Sequence, residues 1–444
     1  MKKFPLYVSL LLLLMAFPLC VQAAPRAQEV ADEVVVVIDP GHGGDNIGTQ
    51  SGHTDEKEMT MITARAMFQE LEKFENIKVY MTHSEDKDLS FPKRAEAAAN
   101  VNADFLYSIH FNASENHTMF GSEVWVSCET PFNAYGYQFG YEHLKAMAEK
   151  GLYIRGVKCR INDAGTDYYA IIRECAARSV PAVIIEHCYV DEERDAEFIK
   201  NEDCYKELGR LDAHSVAKYF GLKSSELGID YSNTAQDLQG VDPDSRVTET
   251  LVDRTSPDVC EIELSECDYE SEKVSLTVRA ADYDSMLMYY SYSLDNGATW
   301  SRWECWPGAD AFTGAYRDTF QLNLQIPEKL RPSILLRAYN KSDLYATSNR
   351  LSFDQTFGMD TASTEKGSVL STSEPATEAV EHEHKTVGTT TFLPVFSEET
   401  DPSSLNTLTF LKFCLVFVMV LFLIVLTAQL IHYKGRKKGR RHPK

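Results

Sequence analysis

Cysteine never occurs as a C-x-x-C pair in this 444-residue chain, and its distribution excludes a complete disulfide framework. Cys20 lies in an N-terminal apolar stretch and Cys414 in a C-terminal one. Five others (Cys128, Cys159, Cys175, Cys188, Cys204) fall before residue 222 and three (Cys260, Cys267, Cys305) after it, so each group is odd. Buried free thiols are the simpler reading. Positive charge is also scarce away from the two ends. With the seven bases of the last eleven residues and Lys2 and Lys3 set aside, 35 bases face 66 acids, a net charge near −31. That balance excludes nucleic acid as a partner and suits solubility in a polyanionic surround. Small residues are missing before Cys20, where Phe17-Pro18-Leu19 stands, which argues against a lipidation site. Leu393-Pro394-Val395-Phe396-Ser397 lacks the Thr-Gly that wall sorting needs.

The two ends define a topology. Lys2 and Lys3, an apolar stretch from Leu6 to Leu19 and the small-residue site Val21-Gln22-Ala23 predict a signal peptide over 1–23. Leu411 to Tyr433 is almost wholly apolar and long enough to span a bilayer; the basic tail 434–444 then places that end in the cytoplasm. The expected protein is therefore a single-pass protein of the cell membrane with the bulk of the chain outside.

Between the ends the pattern changes once. From 34 to 222 apolar runs alternate with helical periods. Met61, Ala64, Phe68 and Leu71 share one helical face, Ala-rich PKRAEAAANVNA reads as another helix, and Tyr137, Tyr141, Leu144 and Ala148 mark a third, ended by Gly151. Strand and helix in alternation predict an α/β region with a mostly parallel sheet and helices on both faces. Residues 223–252 are polar without a period and read as a linker. Over 253–355 the period becomes two: Phe320, Leu322, Leu324 and Ile326 alternate with polar residues, and Asp295-Asn296-Gly297 signals a tight turn. Several short strands without a helix predict an all-β immunoglobulin-like or fibronectin-like sandwich. Trp300, Trp303 and Trp306 lie close together after the turn, and core packing claims at least one of them. A protein or glycan partner is a further role for this sandwich. Residues 356–408, rich in Ser, Thr, Glu and Pro, read as a disordered stalk in which His382 and His384 are solvated.

Three apolar runs in the α/β region end on residues able to hold or serve a metal: VVVVIDPGHGG at His42, ADFLYSIHFNAS at His110 and VPAVIIEHCYV at Glu186. Runs of this kind read as strands covered on both faces, and the carboxyl ends of parallel strands form the edge where such sheets bind ligands. Glu56 stands where a loop gives way to the first helix. Two imidazoles and two carboxylates on one edge fit a hydrolytic zinc site with three protein ligands, an open position and a general base. Each signal alone is weak: the glycines around His42 serve any tight turn, and Glu56 suits a helix first turn.

Together these residues resemble the zinc-dependent N-acetylmuramoyl-L-alanine amidases of bacterial cell-wall turnover. The matching pieces are Asp39 to Gly44, Glu56-Lys57, Arg94 with Ala99-Asn100, Ser108 to Ser114, and Pro181 to Glu186, which span about 190 residues. The resemblance implies Zn2+ held by His42, Glu56 and His110, with Glu186 as the catalytic carboxylate. It also implies peptidoglycan as substrate, cut at the amide between the lactyl group of N-acetylmuramic acid and L-alanine. The chain departs from the family pattern at His83, where an arginine is usual, and over His187 to Asp191. His53 and His187 are near enough in sequence to replace a ligand. Glu115 to Ala182 is accounted for by one strand, one helix and loops, with no room for a helix that plugs the site. The alternatives are another zinc hydrolase of the stem peptide and a non-catalytic wall-binding protein.

Overall fold

The structure is a computed structural model that describes residues 33–52, 54–233, 254–358 and 369–372. The signal peptide, His53, most of the linker, His382, His384, the span 411–433 and the basic tail lie outside the described residues. Among the described residues no helix is long and apolar enough to cross a bilayer.

The α/β region begins with β1 (Val34–Pro40), a small hairpin of β2 (Gln50–Ser51) and β3 (Thr54–Asp55), and α1 (Glu56–Leu71). Then come β4 (Ile77–Met81), α2 (Phe91–Asn100), β5 (Phe105–Asn112), β6 (Ser122–Val126), α3 (Phe132–Lys150) and β7 (Ile154–Cys159). The region continues with α4 (Ala170–Ala176), β8 (Ala182–Tyr189) and α5 (Glu202–Phe220). Six strands form one sheet in the order β4-β1-β5-β8-β6-β7, parallel throughout except where β6 runs against β8. β5 and β8 are buried at every position, which explains their unbroken apolar runs. Alternate residues feed two cores. Val36, Ile38, Phe105, Tyr107 and Ile185 pack under α1, α3 and α5, while Val37, Leu106, Ala182 and Ile184 pack under α2 and α4.

Several expectations need correction. The stretch between Glu115 and Ala182 holds a second strand, β7, and a second helix, α4. Ile154–Cys159 carries Arg155, Gly156 and Lys158, so no apolar period announces it, and α4 has only seven residues. Of the stripe expected on α3 only Leu144 is fully buried; Tyr137 and Tyr141 are half-buried and Ala148 is exposed, and Gly136, Phe139, Gly140, His143 and Met147 share the buried side with Leu144. The two glycines let the helix approach, since a Cβ at Gly136 or Gly140 would come within 2.8 Å of Val126 or 2.9 Å of Val157. The expected linker does not begin at 223. β9 (Lys223–Ser224) and β10 (Ile229–Asp230) form a hairpin, and Tyr231 stacks on Phe74 at 6.2 Å. Apolar Leu227, Ile229 and Tyr231 hold this piece against the core, a pattern too short to register as a period. Of the eight described cysteines, Cys128, Cys159, Cys175 and Cys188 are buried thiols outside any disulfide, whereas Cys305 is exposed.

The second region contains β11 (Val259–Asp268), β12 (Lys273–Ala281), β13 (Leu287–Ser293), β14 (Glu304–Cys305) and β15 (Thr319–Gln325). β16 (Ser333–Asn340), β17 (Tyr345–Thr347), β18 (Arg350–Phe353) and β19 (Val369–Thr372) follow. They form two antiparallel sheets, β11-β12-β15 and β14-β13-β16-β18-β19, with β17 on β16. A single core of Val274, Leu276, Leu322, Leu324, Leu336, Trp306 and Phe353 draws on both sheets. Trp303 and Trp306 are buried. The region extends past 355, because Phe357 is fully buried, and β19 pairs with β18 inside the stretch read as stalk. A second apolar cluster joins Met119, Phe120 and Tyr189 of the α/β region to Met286, Met288, Tyr289, Trp303 and Tyr339 of this one.

Candidate metal centre

The turn after β1 positions His42. Asp39 is buried, and its oxygens accept from Thr82 Oγ1 (2.6 Å), Arg94 Nη1 (2.9 Å) and Ser108 Oγ (2.9 Å). Arg94 also donates to the carbonyls of Pro40 and His42, both at 2.6 Å. Burial raises the Asp39 pKa, but Arg94 and these hydrogen bonds outweigh it and hold the carboxyl below its usual value. This clamp lets His42 occupy φ 65°, followed by Gly43 at 127° and Gly44 at 58°. A histidine in the left-handed region is uncommon, and here the strain aims its ring at the sheet edge.

Glu56 opens α1 fully buried. Its Oε2 accepts from Thr49 N (2.9 Å) and its Oε1 from Phe111 N (3.0 Å). His110, at the end of β5, brings Nδ1 to 3.1 Å from Glu56 Oε1. His42 Nε2 lies 3.0 Å from Glu56 Oε2 yet makes no hydrogen bond, while its Nδ1 meets Asn46 Oδ1 at 2.9 Å. The two imidazoles meet edge to face at 4.9 Å. One ligand atom from each of His42, Glu56 and His110 can be chosen so that all three lie within 4.8 Å of one another. Burial alone would raise the Glu56 pKa, but His42 and His110 bring it down to about 2. A buried imidazole nitrogen without a hydrogen bond, facing an anionic carboxylate and a second imidazole, is the donor set a divalent cation takes. The residues therefore fit a metal.

Glu186 stands in register with His110 on the neighbouring strand, and Glu123 of β6 stands in register with Glu186. The three form a row across the sheet edge. Glu186 is buried, its Oε2 has no hydrogen-bond partner, and burial, then Glu56 and Glu123, raise its pKa well above the usual carboxylate range. Such a carboxyl can carry a proton near neutral pH.

All four expected site residues thus meet at one edge. His187 does not join them. It alternates to the opposite sheet face, stacks on Phe111, and contacts His110 O at 3.0 Å and Asp212 at 3.0 Å. His83 is buried beside Thr82 Oγ1 at 3.0 Å. α4 packs through Ile171, Ile172 and Cys175 in the core under β1, β5 and β8. Sequence reasoning missed Asn46, Glu123, Asp212 and the pair Arg155 and Lys158. Glu123 had one usable signal, a lone acid within an apolar strand.

The profile described as N-acetylmuramoyl-L-alanine amidase matches residues 36–218. The amidase CwlM of Bacillus licheniformis is 30% identical over 197 residues, covering 44% of this chain and 72% of that protein. The sporulation-specific amidase of Bacillus subtilis is 30% identical over 193 residues, covering 43% and 70%. The catalytic domain of CwlV from Bacillus (Paenibacillus) polymyxa var. colistinus aligns at 26% identity and a TM-score of 0.37, over 43% of this chain and 99% of that one.

Proposed function

Because the chain belongs to the N-acetylmuramoyl-L-alanine amidase family and is a peptidoglycan amidase, we propose that it cuts the amide between the lactyl group of N-acetylmuramic acid and L-alanine, with zinc held by His42, Glu56 and His110. The observation that carries this reading is the buried cluster of those three residues with Glu186 in register beside His110. Bound there, zinc supplies Lewis acidity toward water and the scissile carbonyl. Glu186 takes the proton of the attacking water and returns it to the leaving amine. Its raised pKa, set by burial and the flanking carboxylates, suits it to hold that proton between the two transfers. Asp39 and Arg94 act behind the site by fixing the turn that carries His42.

The architecture we propose places this enzyme outside the membrane. A signal peptide over 1–23 exports it, and 34–222 is the catalytic domain. The immunoglobulin-like sandwich follows a linker, and a stalk leads to the span at 411–433 with the basic tail inside. The acidic exported part, net near −31, supports this placement. Protease treatment of wall-less cells should shed the catalytic domain without lysis; protection until lysis would overturn the orientation.

The chemistry is tested with Glu186→Gln in the full chain. The variant should retain zinc and lose at least a thousandfold of the wild-type release of peptides bearing a new L-alanine amine, read by mass spectrometry of digested peptidoglycan. Near-wild-type release would remove Glu186 from its role. Free D-amino acids as product would move the cut to the stem peptide.

A further inference from the structure

The row His110–Glu186–Glu123 runs on to β7, and there the sheet is irregular. Ser122 pairs with Ile154 but Glu123 pairs with Gly156, so Arg155 is an extra residue bulged out of the ladder. A bulge re-aims the side chain it carries. Arg155 turns onto the row and donates from Nε to Glu123 Oε2 at 2.8 Å, and Lys158 Nζ reaches the same oxygen at 2.8 Å. Asn112 Nδ2 (3.0 Å) and Trp125 Nε1 (3.2 Å) take Glu123 Oε1. Glu123 is thereby fixed through both oxygens beside Glu186.

The rest of the Arg155 guanidinium is held from the second region. Its Nη1 donates to Tyr289 Oη at 2.8 Å, and its Nη2 contacts Asp343 Oδ1 and Oδ2 at 2.7 and 2.6 Å. Arg155 is 1% exposed and so is Tyr289, whose hydroxyl also donates to Phe120 O at 3.1 Å. Asp343 itself is set rigidly. It sits at φ 65° in the turn from β16 to β17, its N–H bonded to Asn340 O at 3.0 Å. Asn340 is fully buried, and its side chain binds Ser342 N, Leu344 N and Asp282. The approach is close: a Cβ at Gly156, where φ is 96°, would fall 2.7 Å from Lys341 Cε.

We propose that the second region is a working part of the amidase, with Asp343 as a positioning residue that holds Arg155, and through it Glu123, in place beside Glu186. Two buried cations, Arg155 and Lys158, are balanced by two anions, Glu123 and Asp343. Without the Asp343 charge one cation is in excess. The next carboxylate along the row is Glu186, whose Oε2 has no hydrogen-bond partner. A guanidinium or ammonium drawn onto that oxygen ties up the group that must move protons, while contacts to substrate are untouched. Turnover falls, and apparent affinity does not.

This rests on Glu186 carrying the proton in the reaction proposed above. The experiment is steady-state kinetics of the full chain on a soluble muramoyl peptide, following the new L-alanine amine. Asp343→Asn should lower kcat at least tenfold with KM within twofold of wild type, and Tyr289→Phe should lower kcat about threefold. Arg302→Gln breaks the exposed contact to Glu193 (3.0 Å) between the same two regions, away from Arg155; it should keep wild-type kcat and KM. Wild-type kcat in Asp343→Asn, equal losses in Asp343→Asn and Arg302→Gln, or a loss confined to KM each overturns the proposal. If Asp343→Asn does not fold, wild-type kcat in Tyr289→Phe overturns it. Absence of the L-alanine amine from wild-type digests faults the reaction assignment instead, independently of the variants.

Discussion

Replacing Gly41 by alanine tests the metal centre at its tightest point. A Cβ at Gly41 would lie 2.4 Å from His110 Cε1 and 2.7 Å from both ring nitrogens. Ordinary contact between such atoms is about 3.5 Å, so roughly 1 Å of separation must be found. The backbones cannot supply it easily, because Gly41 N donates to Ile109 O at 2.9 Å and ties the turn to β5. The φ of Gly41 lies outside the left-handed region, so the alanine is unstrained and the imidazole ring must give way. Metal–ligand distances tolerate only about 0.2 Å of change, so a ring moved by about 1 Å is lost or distorted as a ligand. Even perturbations behind the ligands cost about 10- to 100-fold in metal affinity, and about 1 Å of misplacement costs about 100-fold in rate. Gly41→Ala should therefore lose zinc at about 10- to 100-fold lower chelator strength, and turn over about 100-fold more slowly when saturated with zinc. Overpacking should cost the fold only about 1–3 kcal/mol. The assay is elemental analysis after dialysis against graded chelator, with peptide release measured on the same samples. Gly165→Ala serves as the comparison for backbone cost alone: nothing lies within 4 Å of its Cβ position, so its strain comes only from a φ of 76°, and it should leave zinc retention at the wild-type level. Wild-type zinc retention together with turnover within twofold in Gly41→Ala would refute the placement of His110 in the centre.

Two further outcomes follow from the buried charges. Burial raises the Glu123 pKa, but Lys158 and Arg155 bring it from 4.5 down to about 2, so its stabilising contribution is full above about pH 4.5 and is lost as pH falls toward 2. The difference is about 3 kcal/mol, and Glu123→Gln should flatten the acid limb of a denaturation-versus-pH curve by an amount of that order; an unchanged limb would contradict the pairing. His187→Ala should keep full zinc occupancy, because the ring faces away from the centre, while leaving Asp212 without its 3.0 Å partner and costing about 3–5 kcal/mol in chemical denaturation. Loss of zinc from a folded His187→Ala protein would make that histidine a ligand after all.

What could be read from the sequence was what a single strand or helix start declares by itself. β1, β5 and β8 are covered on both faces, so VVVVIDP, FLYSIHFN and AVIIEHCY announce themselves, and each delivers its site residue to the same edge by direction alone. Glu56 was legible because a helix begins there. β7 was not, because its residues are chosen for partners elsewhere: Arg155 and Lys158 are charged to meet Glu123, and Gly156 is bare to admit Lys341. A strand that looks like a loop in sequence can thus be the one most engaged with the site. The α3 face failed for a related reason. Its tyrosines suggested a core stripe, yet Gly136 and Gly140 mark the buried side, since close approach to β6 and β7 selects small residues over large apolar ones. The Arg155–Asp343 pair spans 188 residues, and no local period encodes a contact of that reach. Periodicity reports burial within an element, whereas the groups that tune Glu186 arrive across elements, from β6, from a bulge in β7 and from a turn in the second region. The part of the site that fits a metal was therefore written locally. The part that sets how its carboxylate behaves was written in the tertiary fold.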